Sequence, residues 1–171
     1  MKNIYLFLVF LIPISILSCE KVNNKESSSE QIYFNSFESQ SDIDGWQGNA
    51  FSFASTASPH GGVKSLKVSG GCVLPHAQYT VDAQSTDCKI FLKLWGKNLS
   101  NGGGVSLWVN KAGYKEINIS ISKLDWTLYE SQDTIFCPAN TSLTLSIVAG
   151  GIIGITILFD LIEIRNLVVE P

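Results

Sequence analysis

The chain has 171 residues and a net charge of −3, and 45% of its residues are apolar; its Lys and Arg residues form no basic cluster. That balance offers nothing to a phosphate backbone and excludes nucleic acid as an expected partner. Past residue 18 the chain keeps enough Ile, Leu, Val and Phe to bury a core, at the length of one domain.

The first element, residues 1–18, reads as a signal peptide. Lys2 precedes an apolar stretch from Ile4 to Leu17, broken only by Pro13 and Ser15, and Ser18-Cys19 follows. A spanning helix needs about 20 apolar residues, so this shorter, proline-broken run is a secretory signal rather than a permanent anchor. The tetrapeptide Ile16-Leu17-Ser18-Cys19 resembles the bacterial lipobox. That resemblance implies that Cys19 is acylated, becomes the mature N-terminus and tethers the chain to a membrane. Glu20 follows, not the aspartate associated with inner-membrane retention, so the expected location is the cell envelope, with the outer membrane preferred over the inner. Glu20 to Gln31, EKVNNKESSSEQ, carries one apolar residue in twelve. With Cys19 it is predicted to form a flexible tether over 19–31.

The domain is expected to span 32–171. Short segments with period-two alternation, punctuated by Gly, Asn, Asp and Pro, predict ten strands. In chain order they are Ile32 to Phe37, Ala50 to Ala54, Ser65 to Ser69, Val73 to Thr80, Lys89 to Gly96, Val105 to Val109, Glu116 to Ile121, Thr127 to Phe136, Ser142 to Val148 and Ile155 to Ile164. Such spacing predicts an all-β sandwich or jelly roll. Leu143 to Phe159 is 17 residues without a charge. It is dense in β-branched residues and broken at Gly150-Gly151, which fits two core strands better than a membrane span.

No His-Glu-x-x-His, Gly-x-Ser-x-Gly or Cys-x-x-Cys occurs, and the two histidines, His60 and His76, sit in no metal or hydrolase motif. The expectation is a non-catalytic chain. Sugar binding asks for a flat apolar ring to stack on pyranose CH faces, flanked by groups that read hydroxyls. Trp46, His76, Gln78, Trp108, Asn110 and Tyr114 have that chemistry; Trp46 and Trp126 are assigned to the core or its rim. His76, Gln78 and Thr80 share one parity on their strand, while Leu107 and Val109 stand opposite Trp108 in parity. Which parity faces out is left open by the pattern.

Several short motifs, taken in order, carry a family resemblance over most of Phe34 to Leu167. They are Phe37-Glu38, Trp46, the Gly-x-x-Ser-Leu-x-Val stretch of Gly62 to Val68, the Trp-x-Lys ending at Lys97, Asp125-Trp126-Thr127-x-Tyr129, Pro138-Ala139 and the closing Phe-Asp-x-Ile-x-Ile of Phe159 to Ile164. In this the chain resembles the galactose-binding-like jelly roll of many carbohydrate-binding modules. The resemblance implies that His76, Gln78 and Trp108 share a concave sheet, with Asn110 and Tyr114 nearby, and that the ligand is a glycan. It implies a structural calcium ion held by Glu38 and Asp160, although Leu161 stands where the family often has a second aspartate. It also implies that the strand of Lys89 to Gly96 pairs antiparallel with that of Thr127 to Phe136. Cys88 then lies beside Cys137, a Cys88–Cys137 disulfide follows, and Cys72 is left over. Members of the fold also serve as adhesion and domain-packing modules, so a structural or protein-interaction role of the envelope stands beside glycan binding. Oligomeric state is not legible.

The lipobox reading has a direct check. Cys19→Ala is expected to abolish acylation and release the mature chain from the membrane fraction, measured by mass spectrometry of the N-terminus and by fractionation.

Overall fold

A computed structural model describes residues 29–72, 76–100, 102–150 and 154–168. The signal segment, Cys19 and the tether up to residue 28 lie outside the described residues, as do 73–75 of the fourth predicted strand. The described residues form eleven strands: β1 (Ser29–Asn35), β2 (Phe51–Ala54), β3 (Ser65–Ser69), β4 (Ala77–Val81), β5 (Cys88–Asn98), β6 (Gly103–Val109), β7 (Glu116–Ser120), β8 (Thr127–Glu130), β9 (Ile135–Cys137), β10 (Leu143–Ala149) and β11 (Thr156–Leu167). All pairings are antiparallel. A seven-stranded sheet runs β2-β3-β11-β5-β8, with β1 also on β11 and β9 also on β5; a four-stranded sheet runs β4-β10-β6-β7.

Alternation builds the sandwich. Ile90, Leu92 and Leu94 of β5, Val105, Leu107 and Val109 of β6, and Leu143, Leu145 and Ile147 of β10 are all buried at every second position. Each such side chain contributes about 1.5–3 kcal/mol by leaving water, so three core-facing residues per strand hold the two sheets together. One end of the core is closed by aromatics: Trp46 lies 5.8 Å from Phe37, 6.4 Å from Phe51 and 5.6 Å from Tyr79, ring centre to ring centre. Trp46 is thus a core residue, as its sequence position led us to expect.

Strand β11 changes parity midway. Ile157 and Phe159 are buried, and so are Ile162 and Ile164. Asp160 pairs with Trp95 and Glu163 with Lys93, so three steps on β11 oppose two on β5. This is a β-bulge. Leu161 adopts φ 45° within it, a left-handed conformation that costs energy for a residue with a Cβ. The extra residue restores the inward aim of Ile162 and Ile164.

The uncharged stretch from Leu143 divides into β10 and β11, as predicted, and no helix among the described residues is long and apolar enough to cross a membrane. Several strand ends differ from the sequence reading: His76 lies outside β4, β11 runs on to Leu167, and two further differences have a local cause. The predicted strand Thr127 to Phe136 is two strands, because the Ser131 hydroxyl takes the Leu92 N–H in place of a backbone carbonyl and the chain leaves the ladder there. Strand β1 starts at Ser29, three residues into the predicted tether, because Ser29, Glu30 and Gln31 pair with Leu167, Asn166 and Arg165.

Cys88 and Cys137 are register partners at the start of β5 and the end of β9, as expected, but both are free thiols in the structure, and so is the exposed Cys72. Their sulfurs turn to different carbonyls, Cys88 Sγ to Thr86 at 3.4 Å and Cys137 Sγ to Thr141 at 3.4 Å. Burial pushes both thiols up, which disfavours the thiolate needed for exchange. Antiparallel partners have Cα atoms about 4.5–5.5 Å apart, inside the span a disulfide bridges. Oxidised glutathione added during refolding is therefore expected to join Cys88 to Cys137. The bridge closes a loop of about 50 residues, raising stability by up to about 4 kcal/mol, with non-reducing peptide mapping and urea unfolding as the readouts.

Candidate functional site

The inner faces of both sheets are occupied by core, so binding chemistry has to come from an outer face, an edge or a loop. On the four-stranded sheet the buried parity of β6 places Ser106 and Trp108 on the outer face, and register sets Thr144, Ser146 and Val148 of β10 on the same side, although Thr144 and Ser146 are themselves buried at 6% and 8% exposure. In β7 the alternation of exposed Glu116, Asn118 and Ser120 with Ile117 and Ile119 does the same. Registers then order these side chains in rows. Thr80, Thr144, Trp108 and Glu116 form one; Gln78, Ser146, Ser106 and Asn118 form the next. Side chains in a row sit about 4.5–5.5 Å apart, one strand to the next.

The rows are linked by hydrogen bonds. The Ser106 hydroxyl donates to Asn118 Oδ1, and Asn118 Nδ2 donates to Glu116 Oε1 at 2.8 Å. Beyond the end of β6, Asn110 Nδ2 donates to Ser142 Oγ at 2.8 Å, and its Oδ1 accepts from Thr144 Oγ1 at 2.8 Å. Trp108 is half-buried between these two polar strings, next to Thr144 on one side and Glu116 on the other. Glu116 is the one charged side chain in these rows.

Of the side chains expected to bind a ligand, Gln78, Trp108 and Asn110 meet on or beside this face. His76 does not, although it shares the parity of Gln78, because residue 76 precedes the start of β4. Its ring is fully buried, with Nδ1 accepting the Ala149 N–H at 3.1 Å and Nε2 3.3 Å from the Gly71 carbonyl. It pins a loop to the end of β10. Tyr114 also lies elsewhere: it sits in the β6–β7 loop, stacked on Phe136 at 6.2 Å and capped by Lys111 at 5.7 Å. Sequence reasoning missed Ser106, Glu116, Asn118, Thr144 and Ser146. The polar residue at every second position of Glu-Ile-Asn-Ile-Ser and Leu-Thr-Leu-Ser was the available signal.

A larger groove, about 670 Å³, opens between β7 and the β8–β9 edge. The half-buried Tyr129 lines it, its hydroxyl held by the N–H groups of Ser122 and Lys123 at 3.3 and 3.1 Å.

Glu38 and Asp160 converge on a second locus, the loop of residues 58–64. Glu38 Oε1 accepts from the N–H groups of Val63 and Lys64 at 3.0 and 2.9 Å. Asp160 is fully buried, its Oδ2 accepting from the Ser58 N–H and its Oδ1 from the Leu161 N–H, both at 2.8 Å. Desolvation raises the Asp160 carboxyl above its ordinary range, and the Glu38 charge adds to the rise. The Ser58 hydroxyl is buried beside it and opposes the rise. A Cβ on Gly61 would collide with the Asp160 carboxylate, and one on Gly62, at φ 86°, with that of Glu38. Both glycines are therefore required for the loop to close over the two acids.

No protein-family model and no curated protein sequence matches the chain. Solved structures do. The CBM22-1 xylan-binding domain from Paenibacillus barcinonensis Xyn10C is similar over 84% of this chain and 99% of that one, at 13% identity and a TM-score of 0.59. TmCBM61, solved in complex with β-1,4-galactotriose, is similar over 72% of this chain and 90% of that one, at 15% identity and a TM-score of 0.50. The CBM36-1 domain of a multidomain xylanase from the hindgut metagenome of Trinervitermes trinervoides is similar over 83% and 98%, at 12% identity and a TM-score of 0.50. At these identities the likeness is one of fold: the chain has the jelly-roll β-sandwich of these carbohydrate-binding domains.

Proposed function

We propose that this chain is a non-catalytic, glycan-binding lipoprotein of the bacterial cell envelope, and that the glycan lies on the outer face of the four-stranded sheet. The observation that carries the reading is the setting of Trp108. A half-buried indole stands on the solvent side of a sheet, among short hydroxyl and amide side chains that are already hydrogen-bonded to one another. The ring offers flat apolar area for a pyranose face, while Asn110, Asn118, Ser106 and Gln78 offer donors and acceptors to its hydroxyls. Because the polar strings are ordered before binding, little rotamer entropy is lost on contact. The similarity in fold to carbohydrate-binding modules supports the same reading. Cys19 supplies the anchor, and the outer membrane is the preferred site.

Sugars exchange water hydrogen bonds for protein ones at little net gain, so dissociation constants on the order of micromolar to millimolar are expected. The test is affinity electrophoresis of the mature chain through gels containing neutral polysaccharides. Trp108→Ala is expected to weaken retention at least about tenfold, roughly 1.4 kcal/mol, with the thermal midpoint almost unchanged. A collapse of the midpoint instead assigns Trp108 to the core. Normal folding of the native chain with no retention by any polysaccharide assigns the domain to a structural role.

We extend the proposal to a structural calcium ion at the loop of residues 58–64. The residues fit: two carboxyl groups share one loop, each keeps lone pairs beyond its N–H contacts, and the buried Ser58 hydroxyl lies beside Asp160 as a further oxygen. No group of three or more His, Cys, Asp or Glu forms among the described residues. Glu38 and Asp160 would therefore be joined by hydroxyl and backbone oxygens, which calcium accepts. EDTA is expected to lower the thermal midpoint by several degrees and calcium to restore it, with Asp160→Asn erasing the difference. Equal midpoints with and without EDTA would leave the loop held by its N–H bonds alone.

A further inference from the structure

The outer face of the seven-stranded sheet is unlike its counterpart. Burial alternates along β5 so that Ile90, Leu92 and Leu94 face the core, and Lys89, Phe91, Lys93, Trp95 and Lys97 face out. Leu128, 38% exposed, stands opposite Trp95, which is half-buried with the His60 ring edge-on at 6.0 Å; Phe34, 47% exposed, stands opposite Glu163. A solvent-facing side of an antiparallel sheet is ordinarily polar, so rings and an exposed leucine along its length mark an interaction surface.

Its charges point to the partner. Lys93 pairs with Glu130 at 3.5 Å and Arg165 with Glu163 at 2.6 Å, while Lys67, Lys89 and Lys97 make no ion pair among the described residues. The rows around Trp108, on the opposite side of the sandwich, carry Glu116 and no cation. Protein–protein interfaces are depleted in lysine, whereas tryptophan and phenylalanine interspersed with lysine suit the headgroup level of a bilayer, where rings insert shallowly and ammonium groups meet anionic lipid. Chain connectivity agrees. About ten residues separate Cys19 from Ser29, a reach of ~35 Å at full extension and ~18 Å as a flexible coil. Ser29 opens β1, which belongs to this sheet.

We propose that the outer face of the seven-stranded sheet rests on the surface of an anionic lipid bilayer, with Trp95, Phe91 and Phe34 at the headgroups, and that the Trp108 face is thereby presented away from the membrane. The proposal rests on the reading of Cys19 as the lipid anchor.

The test uses the full chain purified from membranes, its N-terminal mass measured, reconstituted into phosphatidylcholine–phosphatidylglycerol vesicles whose acyl chains carry bromine as a fluorescence quencher. Trp95→Phe is expected to remove most of the bromine-dependent quenching and Trp108→Phe to leave it intact. Joint substitution of Lys67, Lys89 and Lys97 by Glu is expected to reduce it, most strongly at low salt. Quenching that is indifferent to Trp95, or that follows Trp108, overturns the proposal. So does finding that Trp95 is shielded from iodide by a second copy of the chain in the absence of lipid. An unmodified Cys19 in the mass measurement defeats the anchor reading separately. In that event, sedimentation of the chain with the same vesicles, lost on the triple Lys→Glu change, still supports the face, and no sedimentation overturns it.

Discussion

Strand β11 is the element on which the other parts depend, and its bulge is the constraint that makes it usable. It pairs with β1, β3 and β5, so three strands take their position from one. A twelve-residue strand with a single parity would have turned either Ile157 and Phe159 or Ile162 and Ile164 into water, exposing several kcal/mol of buried apolar surface. One inserted residue avoids that loss. Leu161 at positive φ absorbs the strain, a cost of order 1–3 kcal/mol and smaller than the burial it rescues. The same bulge aims Asp160 at the loop of residues 58–62, so the site for the second carboxylate and the continuity of the core come from one irregularity.

The two outer faces follow from how the sandwich spends its apolar residues. Strands β6 and β7 of the smaller sheet commit one parity to the core, which leaves short polar side chains outside and lets them bond across strands. Such a face is shallow. It suits an extended, hydroxylated ligand and does not enclose a small apolar one, since burial there removes little surface from water. The larger sheet keeps rings and lysine stems outside, covering its sheet with carbon while holding charge at the rim. The two outer faces of the sandwich therefore differ in chemistry, one of short polar side chains and the other of rings and lysines.

His76 shows where parity reasoning fails. It shares the parity of Gln78, but its residue lies before β4 begins, and there the backbone no longer obeys the sheet's in–out rule. A neutral imidazole can be buried without penalty when both nitrogens find partners, and the Ala149 N–H and the Gly71 carbonyl provide them. Tyr114 fails for a related reason: in a loop, a ring goes to the nearest apolar partner, here Phe136. Glu38 and Asp160, singled out through the family resemblance, do converge on one loop, at residues 58–64.

Alternation along the chain was sufficient to determine an all-β fold, most strand positions and the division of the uncharged stretch into β10 and β11, because period-two burial is a local property written into adjacent residues. That Cys88 and Cys137 are register partners was legible through the family resemblance, although both are free thiols in the structure. The tetrapeptide ending at Cys19 is likewise a local pattern, and the proposal of a lipid anchor rests on it alone. Which residues become neighbours across strands is not local. The rows around Trp108, the hydrogen-bonded strings from Ser106 to Glu116 and from Asn110 to Thr144, and the parity switch in β11 all depend on register, and register is set by packing the whole sandwich at once. Tertiary structure alone therefore decided which polar residues meet on one face, and it placed His76 inside the core rather than among them.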